Sequence, residues 1–187
     1  MAVTMLDPKT ALVVIDLQKG VVSLPAAHPI SDVVQRASAL ADAFRARGLP
    51  VVLVNVIGAP PGRTEQAPRV REFPAGWAYL VPELNQQPSD HIVTKRTVDA
   101  FVNTDLEARL RSEDVTQVVI AGVSTSMGVE ATARHARDLG FNVTLAVDAM
   151  TDMSLDAHTH SIANVFPRLG ESGTTRDILD LLATRSA

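Results

Sequence analysis

Ala11-Leu12-Val13-Val14-Ile15-Asp16 is the stretch that decides the fold of this 187-residue chain. Five apolar residues, mostly β-branched, run without interruption and stop at a carboxylate. Such a run is typical of a strand that is buried on both faces of a parallel sheet. Comparable runs predict five more strands, over residues 51–56, 91–95, 118–121, 143–147 and 171–174.

Amphipathic segments separate these strands. Ser31 is the predicted N-cap of a helix that stops at Gly48, and Thr104 with Glu107 predicts a capping box for a helix through residue 111. Three more helices are predicted over residues 128–139, 154–165 and 174–182. The alternation of strands and helices predicts an α/β sandwich with a mostly parallel sheet, and the length suits one domain spanning 1–187.

Composition excludes several classes of protein. The chain has no cysteine, so disulfides, thiolate metal sites and a cysteine nucleophile are absent. The net charge of −4 and the lack of a basic cluster argue against nucleic acid as a partner. No apolar run approaches the ~20 residues of a membrane span. Asp7 and Pro8 interrupt the N-terminal stretch where a signal peptide would be apolar, so we expect a cytoplasmic protein.

Candidate site residues stand where predicted strands end, because ligands bind at the carboxyl ends of strands in such sheets. Asp16, Lys95, Gly122 and Asp148 occupy these positions. A poorly solvated Asp16 could have a raised pKa and act as a general acid or base, or it could cap the following turn. Lys95 could hold an anion or tune a nearby acid, or be an ordinary solvated lysine.

The segment from Gly122 to Gly128 joins a strand directly to a helix. It matches neither a dinucleotide-binding nor a phosphate-binding glycine motif, and no G-x-S-x-G surrounds Ser124 or Ser126. None of the five histidines has the spacing of a metal-binding motif, so we expect no metal and no cofactor. Residues 57–88 hold six of the 11 prolines and Trp77, which indicates a long irregular loop.

Three segments, residues 11–18, 95–101 and 119–134, together resemble the isochorismatase-like hydrolase superfamily, and residues 139–150 continue the likeness. The resemblance implies a Rossmann-like three-layer sandwich with a six-stranded parallel sheet, and a homodimer or homotetramer. It also implies a cis peptide between Val123 and Ser124. Most members are cysteine hydrolases that act on amides with an Asp, a Lys and a Cys.

The Asp and the Lys of that site match Asp16 and Lys95, whereas the Cys position holds Gly128. Isochorismatases proper also lack the Cys, and they hydrolyse a vinyl ether. The resemblance therefore implies that Asp16 is the acid and that Lys95 binds substrate and tunes Asp16. It places backbone donors at Ser124 and Gly128.

Substrate contacts are expected from four more residues: Gln18, Trp77, Phe101 and Thr125. Trp77 and Phe101 would be apolar walls, although core packing is the alternative for each. In nicotinamidases a metal-binding D-x-H follows the second strand, and here that region is Asn55-Val56-Ile57. Two other functions stay open: a lapsed small-molecule-binding protein, and an amidase that uses Ser124, Thr125 or Ser126 as its nucleophile.

Overall fold

The computed structural model describes residues 3–65 and 73–184, and it confirms the α/β class. Six strands form one sheet in the order β3-β2-β1-β4-β5-β6, and every pairing is parallel. The strands are β1 (Thr10–Ile15), β2 (Val51–Val56), β3 (His91–Lys95), β4 (Gln117–Val123), β5 (Asn142–Thr151) and β6 (Glu171–Gly173). All six predicted strands are therefore confirmed.

Helices cover both faces of the sheet, as a buried parallel sheet requires. They are α1 (Lys19–Val22), α2 (Ile30–Ala46), α3 (Leu106–Ser112), α4 (Glu130–Asp138), α5 (Leu155–His160), α6 (Phe166–Leu169) and α7 (Thr175–Thr184). Leu12 and Val14 of β1 pack with α2 and α7 in one core cluster. Val13 and Ile15 pack with α3 and α4 in the other. None of the helices in the described ranges is long and apolar enough to cross a membrane.

Two predicted helix starts are wrong in detail. Helix α2 begins one residue before Ser31, because Pro29 takes the N-cap position with the fixed φ of proline. The capping box at Thr104 does not form. The Thr104 hydroxyl donates to the carbonyl of Ala100 at 2.6 Å, and Glu107 pairs with an arginine one turn further along.

The other predicted helices differ mainly in regularity. The helix predicted over residues 128–139 begins with a π-helical turn at Thr125–Val129 and becomes α-helical at Glu130. In the segment predicted over 154–165, Ser154 caps α5 by accepting a hydrogen bond from the Ala157 N–H. A second π-helical turn follows, and α6 extends the segment to Leu169.

Asp148 does not end a strand, contrary to the prediction. The register between β4 and β5 shifts between Ile120 and Gly122, so β5 absorbs extra residues and continues to Thr151. Asp148 lies inside this irregularity and accepts hydrogen bonds from the N–H and hydroxyl of Thr175. Asp152 takes the place at the strand end that was expected for Asp148.

Gly122 allows strand β4 to lie close to strand β1 next to the candidate site. Its φ is 111°, in the region that side chains rarely adopt. A Cβ on Gly122 would lie 2.1 Å from the carbonyl oxygen of Ile15, far inside van der Waals contact. Glycine is therefore required at this position for both conformation and space.

We expect Gly122→Ala to destabilise the protein by at least about 3 kcal/mol, the sum of a strained backbone and an overpacked strand pair. Urea unfolding followed by circular dichroism measures the change. Gly140→Ala is the matched control, because Gly140 also has a positive φ, of 85°, but a Cβ there would meet nothing within 4 Å. Equal losses in the two variants would contradict the steric explanation.

Candidate active site

The candidate site lies at the point where the strand order reverses. The chain proceeds from β1 to β2 and β3 on one side and returns to β4 on the other side of β1. In open α/β sheets this crevice at the carboxyl ends of the strands is where ligands bind. Asp16 directly follows β1, Ser124 directly follows β4, and Lys95 is the last residue of β3.

Asp16 and Lys95 form a buried ion pair. The Lys95 Nζ lies 2.8 Å from Asp16 Oδ2, and it also donates to the carbonyl of Val98 at 2.7 Å. Lys95 is 2% exposed and Asp16 is 7% exposed. Asp16 Oδ1 is buried and has no hydrogen-bond partner. One carboxyl oxygen is thus held by lysine while the other is left for a proton or for a bound molecule.

Burial raises the pKa of Asp16 from 3.8 to about 6, against the opposing effects of the charge and hydrogen bond of Lys95. Desolvation disfavours the charged carboxylate, and this outweighs the attraction of the neighbouring ammonium. With a pKa of about 6, roughly a tenth of the protein carries a protonated Asp16 at pH 7. The group can therefore release or accept a proton near neutral pH.

Gly128 lies against the ion pair. A Cβ at this position would be 3.4 Å from Lys95 Nζ and 3.0 Å from Cγ2 of Ile15. A side chain at Gly128 would thus touch the lysine directly and crowd Ile15, so the position offers less room than its lack of a side chain suggests. In the same segment, the peptide bond between Val123 and Ser124 is cis, which is the geometry that the resemblance implies.

A cavity of about 240 Å³ adjoins this cluster. Asp16, Lys95, Ser124 and Gly128 all line it, so the structure brings these four candidates together. The volume is below the ~300–1,000 Å³ of typical drug-sized ligand pockets. It therefore suits a small molecule.

Gln18 and Trp77 lie off the cavity wall and hold the loops around it. The Gln18 side chain accepts from the Val56 N–H at 2.6 Å and donates to the carbonyls of Val56 and Trp77. The Trp77 indole covers Gly20 so closely that a Cβ there would lie 2.1 Å from the ring. Both residues position the segment after β2 against α1.

Phe101 and Thr125 also lie outside the cavity lining. Phe101 belongs to the core cluster that faces α3 and α4, where it stacks on Phe141. Thr125 is fully buried, and its hydroxyl lies 2.8 Å from Nδ1 of His158. Burial, together with the nearby His28, lowers the pKa of His158. These contacts support the backbone of the loop that carries Ser124 and Gly128.

Asp152 lines the cavity but was not among the candidates from the sequence. Its Oδ2 accepts hydrogen bonds from the N–H and hydroxyl of Ser126, both at 2.8 Å. Its Oδ1 accepts from the N–H groups of Met153 and Ser154. The two apolar residues after Asp148, Ala149 and Met150, are a local signal, but they are too few to predict the longer strand.

The region that corresponds to the metal-binding D-x-H has a different role here. The Asn55 side chain donates to the carbonyl of Ala78 at 3.0 Å and so ties the loop after β2 to the sheet. Across residues 3–65 and 73–184, histidines and carboxylates form no group of three or more that could hold a metal ion.

The comparisons with known proteins agree with the fold. Residues 10–177 match the isochorismatase domain family. The chain is 41% identical over 179 residues to the isochorismatase family protein YwoC of Bacillus subtilis, covering 92% of this chain and 93% of YwoC. It is 36% identical over 148 residues to a streptothricin hydrolase of Streptomyces noursei, covering 79% of this chain and 51% of the relative.

Among solved structures, an isochorismatase family protein of Burkholderia thailandensis superposes with a TM-score of 0.92 at 39% identity, covering 96% of this chain and 98% of that one. A hydrolase of the same family from Chromobacterium violaceum superposes with a TM-score of 0.82 at 32% identity, with 99% of both chains covered. Hydrolases are therefore among the relatives of this chain. The chain belongs to the isochorismatase family and is a hydrolase.

Proposed function

We propose that this hydrolase cleaves a small molecule by acid–base catalysis at Asp16 and Lys95, without the cysteine nucleophile that the resemblance assigns to most members. The observation that carries the proposal is the state of Asp16: a buried carboxyl group with a pKa of about 6, one oxygen bonded to Lys95 and the other without a partner. A general acid is most effective when its pKa lies close to the operating pH, because a useful fraction is then protonated and the proton is still readily transferred.

A vinyl ether illustrates the chemistry of such an acid. Asp16 transfers its proton to the terminal vinyl carbon, and the electron pair of the double bond forms the new C–H bond. Water adds to the resulting oxocarbenium carbon and returns a proton to Asp16. The hemiketal then collapses to a ketone and an alcohol. Isochorismate is one substrate with such a bond.

Lys95 acts through its charge and position. Its ammonium is already bonded to Asp16 and to the carbonyl of Val98, which leaves one N–H for substrate. Ser124 and Gly128 also line the cavity, where their backbone N–H groups are the proposed donors to an oxygen of the substrate.

A serine amidase is the second candidate, and one observation favours it: of the three hydroxyl residues in the loop after β4, Ser124 lines the cavity. The hydroxyl of Thr125 is bonded to His158, and that of Ser126 is bonded to Asp152. A serine mechanism would pass through an acyl-enzyme, whereas acid–base hydrolysis at Asp16 would not.

We expect no covalent acyl-enzyme. Intact-mass measurement after incubation with small amides and esters should give the mass of the unmodified chain, because Gly128 has no nucleophilic atom. An added acyl mass that disappears in Ser124→Ala but persists in Ser126→Ala would overturn the acid–base proposal and establish the serine amidase.

We further propose a homodimer or homotetramer. Met127, which lines the cavity, and Leu155, at the start of α5, have apolar side chains that are each 55% exposed and are candidates for burial by a second copy. Light scattering on the purified protein should give two or four times 20.0 kDa. A mass of 20.0 kDa across micromolar concentrations would contradict this proposal.

A further inference from the structure

The cavity beside Asp16 has walls that are mostly apolar. Side chains from three separate segments converge on it, namely Val21, Leu24, Pro25 and Ile30 around α1 and the start of α2, Val98 after β3, and Met127 after β4. Apolar walls favour a ligand that brings little charge with it, because a buried ion loses its hydration without compensation.

Only three charged side chains belong to the described part of the lining: Asp16, Lys95 and Asp152. Lys95 is the one cation among them, and its charge is already opposed by Asp16 at 2.8 Å. Arg96 packs against Gly58 at the edge of the cavity, but it is not part of the described lining. At pH 8, where Asp16 with its pKa of about 6 is ionised, a carboxylate on a bound molecule would therefore meet no unopposed cation among the described lining residues.

Asp152 offers no free hydrogen-bond acceptor to a cationic substrate. Each of its oxygens already accepts two hydrogen bonds, from Ser126 on one side and from the N–H groups of Met153 and Ser154 on the other. A carboxylate oxygen has two lone pairs, so no acceptor capacity is left for an ammonium group. Its negative charge still repels an anion across the cavity.

We propose that the substrate of this site is a small uncharged molecule, such as a neutral amide, ester or ether, and that carboxylate-bearing analogues are rejected. This inference rests on the proposed function for the identity of the site, and it narrows the substrate class. Isochorismate, which carries two carboxylates, is therefore disfavoured in this protein although its vinyl ether suits the acid.

The test compares benzamide, benzoate and phthalate, which share one ring and carry zero, one and two negative charges. Calorimetry on the wild-type protein at pH 8 gives their dissociation constants. We expect the constant to rise at least about tenfold with each added carboxylate, since each leaves an unpaired charge in an apolar cavity. Benzoate or phthalate binding as tightly as benzamide would overturn the proposal, as would the absence of benzamide binding.

Two variants at one position test whether charge causes the preference for benzamide over benzoate. Ala59 is exposed and lines the cavity, so Ala59→Lys adds a cation at its edge, and Ala59→Gln adds similar bulk without charge. In Ala59→Lys we expect the preference for benzamide over benzoate to fall at least about fivefold, the scale of a partly exposed ion pair. An unchanged preference in Ala59→Lys, or an equal fall in Ala59→Gln, would contradict the electrostatic explanation.

Binding and turnover separate the two proposals. Loss of the charge preference with an intact requirement for Asp16 would refute the substrate class alone. A preserved preference in a protein whose hydrolysis does not need Asp16 would refute the proposed mechanism alone.

Discussion

Replacing Asp16 with asparagine is expected to lower kcat by at least about 100-fold, the usual loss when a general acid is removed. Asparagine has nearly the same shape, but it has no proton that it can release near neutral pH. The pKa of the buried carboxyl is about 6, so it releases its proton far more readily than water does. Water therefore cannot replace it as the acid at a similar rate. The rate is measured with the best neutral substrate found in a panel of amides, esters and vinyl ethers.

The variant should keep its fold. Asp16 has a φ of 52°, in the left-handed region that asparagine tolerates as well as aspartate does. The amide oxygen can still accept a hydrogen bond from Lys95. Circular dichroism checks the fold, and Asp148→Asn is the matched control, because Asp148 is bonded to Thr175 away from Asp16. Near-normal turnover in folded Asp16→Asn protein would contradict the mechanism.

Replacing Lys95 with methionine is expected to lower kcat at least about 100-fold and to move the pH dependence upward. Methionine keeps much of the apolar length of lysine but removes its charge. The charge and hydrogen bond of Lys95 lower the pKa of Asp16, so their loss lets burial raise that pKa further above 6. Activity of Lys95→Met should therefore persist to higher pH than activity of the wild type, although at a much lower rate.

Lys19→Met is the matched control for Lys95→Met. Lys19 is an exposed lysine at the start of α1, with its ammonium over the ring of Tyr79. In this control the rate should stay within about twofold of the wild-type rate, as is usual for a surface substitution. The pH midpoint should stay within about a few tenths of a pH unit of the wild-type midpoint. A pH midpoint in Lys95→Met equal to that of the wild type would show that Lys95 does not tune Asp16.

Much of the fold was predictable because buried parallel strands leave a strong local pattern. The apolar runs over residues 11–15, 51–54 and 118–121 end at Asp16, Asn55 and Gly122, and the strands β1, β2 and β4 were each confirmed. Asp16 and Lys95 were found because each is a charged residue at the end of a predicted strand, and the carboxyl ends of the strands form the ligand-binding edge of the sheet.

The rest of the site depends on contacts between distant segments. The irregular register of β5 moves the strand end from Asp148 to Asp152, and no periodicity announces it. The chain after β3 turns Phe101 toward the core on one face of the sheet, while Trp77 covers α1. Aromatic character alone could not separate these positions from a cavity wall.

The most direct test of Asp16 as the general acid is a titration of its carboxyl carbon by NMR, compared with the pH dependence of kcat/KM. The signal is assigned by its absence from Asp16→Asn. We predict a midpoint of about 6, and a fall in kcat/KM as the pH rises through the same value, because the protonated acid is the active form and kcat/KM reports the free enzyme. An Asp16 that titrates near 3.8, or a kcat/KM that stays level or rises through pH 6, would contradict it.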